Sequence, residues 1–214
     1  ASGEEVRGRQ IISCGGAYSS PALLLRSGIG PADELRALGI DTVADLPVGR
    51  GLRDHPQCLF LLSCPPPLAR LAGPSCTAVA RGDGWFAFPV SVDEEEGLAA
   101  VAIALNRQRP EGVVRLVSRD SAVAPEIVTA FGQVIERGDF VEPFEMFKQL
   151  VQTDAFRTAG VGGLDADACL DSILPERLGH AFHPSSTCPI GPVLDSNLRV
   201  HGVQGLRVCD ASIF

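Results

Sequence analysis

Four histidines and seven cysteines carry most of the acid–base and nucleophilic potential of this 214-residue sequence. Imidazole, with an ordinary pKa of ~6.5, takes up and returns a proton close to neutral pH, and a positioned acid–base group contributes about 10² to 10⁴-fold in rate. By residue type alone, His183 after Phe182 is more often a packed or capping residue than a catalyst. His180 reads as a surface or supporting residue, His201 between Val200 and Gly202 as structural, and the His55 side chain as structural. The cysteines (Cys14, Cys58, Cys64, Cys76, Cys169, Cys188, Cys209) are odd in number and lack the C-x-x-C spacing of a zinc or redox site. They predict free, mostly buried thiols in a reducing compartment, and no bound metal.

Composition narrows the classes further. With 45% hydrophobic and 21% charged residues, the chain has the apolar material for a buried core and predicts a globular protein of one large or two small domains. A net charge of -8 and the lack of a Lys/Arg cluster argue against nucleic acid, which needs clustered cations to displace phosphate counterions. No run of about 18 apolar residues occurs. The start, Ala1-Ser2-Gly3-Glu4-Glu5, lacks the basic-then-apolar plan of a leader, so a soluble, cytoplasmic protein is expected. No G-x-G-x-x-G follows a strand, which would leave most of any dinucleotide site on other polypeptide.

These residues must be held by a recognisable run of elements. Gln10–Ser13 predicts a strand entering the Gly15-Gly16 turn. Ser20 before Pro21 predicts a helix N-cap, with the helix over Ala22–Arg26 ending at Gly28. Pro31 and Gly39 bracket a second helix, Ala32–Leu38, followed by a short strand over Ile40–Val43. Leu46–Gly51 is a shaped loop delivering Asp54-His55-Pro56, and Pro65 to Gly84 an irregular connection. Trp85–Val90, Leu98–Leu105 and Val113–Val117 predict strands, with Asp93–Glu96 a solvated hairpin turn. Phe144, Phe147, Leu150 and Val151 predict an amphipathic helix over Glu142–Phe156, and a further helix is expected from Ala166 to Leu174, stopped by Pro175. Strands followed by helices predict an α+β domain on a mostly antiparallel sheet.

Several stretches are more specific. Gly16-Ala17-Tyr18-Ser19-Ser20-Pro21-Ala22-Leu23-Leu24-Leu25-Arg26-Ser27-Gly28-Ile29-Gly30-Pro31 resembles the second signature of the glucose-methanol-choline (GMC) oxidoreductases, G-A-x-x-S-P-x-L-L-x-x-S-G-I-G-P, at every fixed position. Leu46–Pro56 resembles the family's L-P-G-V-G-x-N-L-x-D-H-P, one residue shorter and with Gly51 where asparagine is usual. Arg109–Leu116 is similar to R-P-x-S-x-G-x-V-x-L, also trimmed. His183-Pro184-Ser185-Ser186-Thr187-Cys188-Pro189-Ile190-Gly191 resembles H-P-x-G-T-C-x-M-G, with Ser186 for glycine and Ile190 for methionine. Leu194-Asp195 through Asp210-Ala211-Ser212 resembles the closing V-D-x-x-L-R-V-x-G-V-x-G-L-R-V-x-D-A-S.

The resemblance implies a later part of an FAD-dependent enzyme oxidising an alcohol or sugar hydroxyl by hydride transfer to flavin N5, with His183 as the base. It implies Gly16, Ala17, Asp210 and Ala211 at the flavin, the aspartate toward its ribityl or ribose hydroxyls. Residues 1–56 would complete a Rossmann-like FAD-binding domain, 57–180 would form the substrate-binding α+β domain, and 181–214 would carry the histidine and return to the FAD domain. The G-x-G-x-x-G portion is expected on a missing N-terminal part or second polypeptide, and a second catalytic residue beyond Phe214. Two alternatives stay open at this point: a flavin-free remnant or interaction module, and a hydroxynitrile lyase. No motif encodes the substrate or separates oxidase from dehydrogenase.

Overall fold

The computed structural model of the chain describes residue 5 and residues 7–69, 78–106, 112–129, 131 and 135–214. Cys76 and the Arg109-Pro110-Glu111 motif residues lie outside them. Strand β1 (Ile11–Ser13) leads through Gly15 into helix α1 (Gly16–Arg26). This helix starts earlier than expected: Ser20 is inside it, and its hydroxyl makes tertiary bonds instead of capping an N-terminus. Pro21 therefore lies within the helix and has no N–H to give the Ala17 carbonyl four residues back. That carbonyl instead accepts the hydroxyl of Thr187 at 2.7 Å, so a fully buried threonine replaces the lost helical donor.

Helix α2 spans Ala32–Ala37. No strand forms over Ile40–Val43; the Val43 and Ala44 amides turn back onto the Gly28 carbonyl, and a single parallel bridge joins Ile29 to Ala44. Strands β2 (Arg50–Leu52) and β3 (Pro56–Ser63) follow. The supposedly irregular stretch holds a short helix α3 (Pro66–Ala69) and a strand β4 (Ala80–Gly82). Then come β5 (Trp85–Asp93), β6 (Leu98–Leu105), β7 (Gly112–Arg115) and β8 (Glu126–Val128). The turn between β5 and β6 is held by the Asp93 carboxylate, which accepts the Glu95 and Glu96 amides.

The single helix expected over Glu142–Phe156 is two, α4 (Val141–Val151) and α5 (Asp154–Ala159). Thr153 breaks it: its backbone is extended and its hydroxyl donates to the Leu150 carbonyl. Strand β9 (Gly162–Gly163) precedes helix α6 (Leu170–Arg177), which starts later than Ala166 and runs through Pro175 instead of stopping there. The carbonyl that Pro175 leaves without a donor belongs to Asp171, which is exposed to water. Strands β10 (Leu178–His180) and β11 (Leu206–Val208) complete the order.

The chain divides into two units. The first comprises Ala1–Asp54, Arg109–Ala130 and His183–Phe214, the second His55–Gln108 and Phe131–Phe182. Residues 109–130 thus separate from the 57–180 stretch because β7 pairs antiparallel with β2 and with β8. Gly49 shapes this junction. Its φ of 83° and the Val114 carbonyl, 2.1 Å from where a Cβ would sit, admit only glycine. In the same unit β1 and β11 pair in parallel. Its core is aliphatic, built on Leu24, Leu25, Ile29, Leu35, Val48, Val193, Leu194 and Val208.

The second unit is built on a six-stranded sheet in the order β10-β3-β6-β5-β4, with β9 also on β3, all pairs antiparallel. Burial alternates strictly along β3, and Cys58, Phe60 and Leu62 face the core with Val101, Ile103 and Trp85. Helix α4 closes this face: Phe60 stacks on Phe144 at 5.0 Å, and Phe147 lies 5.4 Å from Phe60. The antiparallel α+β expectation holds. Among the described residues no helix is long and apolar enough to cross a membrane.

Candidate active site

In the first unit, three remote stretches meet at Asp210. One oxygen of its carboxylate accepts the Gly16 amide at 3.0 Å and the Ser20 hydroxyl at 2.5 Å; the other accepts the Ser212 amide at 2.8 Å. Because the Ser20 proton goes to Asp210, the hydroxyl of Ser13, 2.8 Å away, must donate to Ser20, which also accepts the Gly15 amide. Burial alone would raise the Asp210 carboxyl, but the bonds from Ser20, Ser212 and Gly16 outweigh it and hold its pKa below the ordinary value. A carboxylate at the first amide of α1 also suits the positive end of the helix dipole.

One Asp210 oxygen accepts two protein donors and the other accepts one, and the carboxylate holds Gly16 at the start of α1. Gly16, at φ 80°, has nothing within 4 Å of where a Cβ would sit, leaving its backbone open to close approach. Ala211 is exposed, and its carbonyl accepts the Ser186 amide. Ala17 is buried, and its carbonyl is taken by Thr187. Open space at Gly16 and the exposed Ala211 beside the Asp210 carboxylate fit a flavin nucleotide approached through main chain.

The His183 segment is tied to both sides of this cluster. The His183 amide donates to the Asp54 carboxylate at 3.1 Å, and Asp54 is 3% exposed. Ser185 pairs with Arg53 in both directions, the Gly49 amide donates to the Thr187 carbonyl, and Cys188 donates to Ser212. His183 itself is exposed. Ser186 adopts φ 72°, a left-handed conformation that explains why glycine is usual there in the resembling motif. Sequence reasoning passed over Asp54, although the D-H-P motif contained it. It also passed over Tyr18, whose phenol is pushed up by burial and by the charge of Asp54.

The other histidines stand apart. Nδ1 of His55 lies 2.8 Å from the Leu105 carbonyl, which can only accept, so this nitrogen carries the proton; its ring meets Phe86 edge-on. His180 lies on β10 with its ring 5.0 Å from Phe131. Nε2 of His201 bonds the Gly191 carbonyl at 3.0 Å.

Two family models, both described as GMC oxidoreductase, match residues 2–57 and 108–214. The chain belongs to the GMC oxidoreductase family. It is 31% identical over 257 aligned positions to the oxygen-dependent choline dehydrogenase of Burkholderia pseudomallei (strain 1710b), covering 96% of this chain and 45% of that protein. The corresponding enzyme of Pseudomonas fluorescens (strain Pf0-1) is 31% identical over 264 positions, covering 98% and 46%. This GMC chain thus spans about half the length of the curated relatives it matches. The alignments are longer than its 214 residues, so the relatives carry segments within that span which it lacks. Among solved structures, pyridoxine 4-oxidase from Mesorbium loti superposes with a TM-score of 0.77 at 26% identity, over 95% of this chain and 46% of that one. A formate oxidase, at 22% identity and a TM-score of 0.79 over 96% and 50%, shares the fold.

Proposed function

We propose that this chain supplies the histidine-bearing and substrate-domain part of an FAD-dependent oxidoreductase that oxidises a small alcohol, with His183 as the base. The observation that carries this reading is the tethering of His183. Its amide is held by the buried Asp54, and the residues after it are bonded to the stretch containing Asp210 and Ala211, so the exposed imidazole stands on a backbone with little freedom. Residues 1–56 and 181–214 complete the FAD-binding portion. Residues 57–180, less the strands that join the first unit, form the substrate domain.

A bound FAD would supply the acceptor for the hydride released by the alcohol carbon. His183 would take the alcohol's hydroxyl proton on its imidazole, readying the carbon to become the carbonyl of the product. Gly16 and Ala211 offer backbone to the cofactor, Ala17 anchors Thr187, and Asp210 keeps Gly16 in place. The missing donors of the dinucleotide site come from the polypeptide that makes up the rest of the relatives' length.

In the flavin-loaded protein, reconstituted with that polypeptide, His183→Ala should slow anaerobic flavin bleaching by a small alcohol such as choline about 10² to 10⁴-fold while flavin stays bound. An unchanged rate removes His183 as the base. A folded protein that takes up no flavin would be a flavin-free relative, and cyanohydrin cleavage without flavin reduction would make it a lyase.

A further inference from the structure

Two cysteines each follow the last residue of a pair of neighbouring strands. β1 and β11 are parallel with Ser13 opposite Val208, and the Cys209 amide donates to the Ser13 carbonyl at 2.9 Å, the last bond of that ladder. Cys14 and Cys209 are the next residue on each chain segment, so the same register carried one residue further brings them side by side. Side chains alternate along a strand, and Ser13 and Val208 both point into the unit, so Cys14 and Cys209 share the opposite face. Both are free and exposed. Neighbouring strands run about 4.7–4.9 Å apart, inside the range of roughly 4.4–6.8 Å between Cα atoms that a disulfide spans.

We propose that Cys14 and Cys209 form a reversible disulfide that staples β1 to β11. The oxidant is a small-molecule disulfide such as oxidised glutathione. One cysteine attacks it and releases one small thiol; the second attacks the protein-bound sulfur, forming the Cys14–Cys209 bond and releasing the other. Two protein thiols are oxidised and one small disulfide is reduced to two thiols. The remaining described cysteines offer no such pair. Burial pushes the Cys58 and Cys188 thiols up to about 12, which keeps them protonated, and Cys169 lies beside Asp171.

The bond would sit one residue ahead of Gly15-Gly16 on one strand and of Asp210-Ala211 on the other, the two turns joined by the Gly16–Asp210 hydrogen bond. Reduced, that junction is held by hydrogen bonds; oxidised, it is also held covalently. The site thus gains a redox-set lock that does not depend on the flavin reading.

Peptide mapping of the purified chain in oxidised and reduced glutathione tests this. Trypsin releases Cys14 within Gln10–Arg26 and Cys209 within Val208–Phe214. These peptides should appear linked under oxidising conditions, lighter by two hydrogens than their sum, and separate after a dithiol. Neither C14S nor C209S should give the link; each should instead carry one glutathione on the remaining cysteine. Separate glutathione adducts on Cys14 and Cys209 of the unsubstituted chain, or a link from either to a third cysteine, would overturn the proposal.

Discussion

The two units of this GMC chain are held by different forces. The second rests on apolar packing, with Phe60, Phe140, Phe144, Phe147 and Trp85 buried between an antiparallel sheet and its helices. The first has an aliphatic core, and its remote segments are stitched by polar bonds across 129 to 194 residues of sequence: Asp54 to His183, Thr187 to Ala17, Asp210 to Ser20 and Gly16. Packing is non-directional and tolerates small shifts, whereas a hydrogen bond weakens steeply with angle. The unit that carries the candidate site is therefore the one in which main-chain positions are set by directional bonds.

The contrast breaks most easily at Phe60. Phe60→Ala should cost about 3–5 kcal/mol, read as an earlier urea transition in the fluorescence of Trp85, the only tryptophan and a member of the same core. A loss under about 1 kcal/mol would mean that aromatic packing does not dominate the second unit. The matching cut in the first unit is Asp210→Ala, which leaves the Gly16 and Ser212 amides and the Ser20 hydroxyl without their acceptor. It should cost about 2–3 kcal/mol, and hydrogen exchange should quicken along Ile11–Ser13 and Leu206–Val208. Unchanged protection there would show that strand pairing alone holds the junction.

Acid probes the same bond set without mutation. The folded pKa of Asp210 lies below its ordinary value of 3.8, so its stabilisation is fully present above that value and is lost as pH falls through the folded pKa. Exchange at the Gly16 amide should accelerate below pH 3.8 in the natural chain, and this acid step should vanish in Asp210→Asn. The smallest effect is expected at Ser186. Replacing a left-handed serine by glycine relieves about 1 kcal/mol of backbone strain, partly offset by unfolded-chain entropy, so Ser186→Gly should raise the melting temperature slightly.

Local pattern carried much of this outcome. Alternation and β-branched runs placed the strands around Trp85–Val90 and Leu98–Leu105, the breakers at Pro31 and Gly39 bracketed the second helix, and the motif residues 16–31 and 183–191 marked the stretches that converge in the first unit. The misplaced boundaries have separate causes. Ser20 and Pro21 carry a helix-start signal, yet α1 begins at Gly16 because Asp210, from the far end of the chain, accepts the first helical amide. Pro175 carries a stop signal, yet α6 passes through it, and the carbonyl it orphans belongs to the exposed Asp171.

Residue types and spacing by themselves determined the family, the antiparallel character of the larger sheet and the segments from which a site is built. Only the tertiary structure decided that Asp210 anchors Gly16, that Asp54 holds the His183 backbone, and that residues 109–130 join the first unit. The physical reason is range. Propensity and periodicity act over a few residues, whereas the partners of a buried carboxylate or a proline-orphaned carbonyl lie more than a hundred residues away and exist only once the chain has folded.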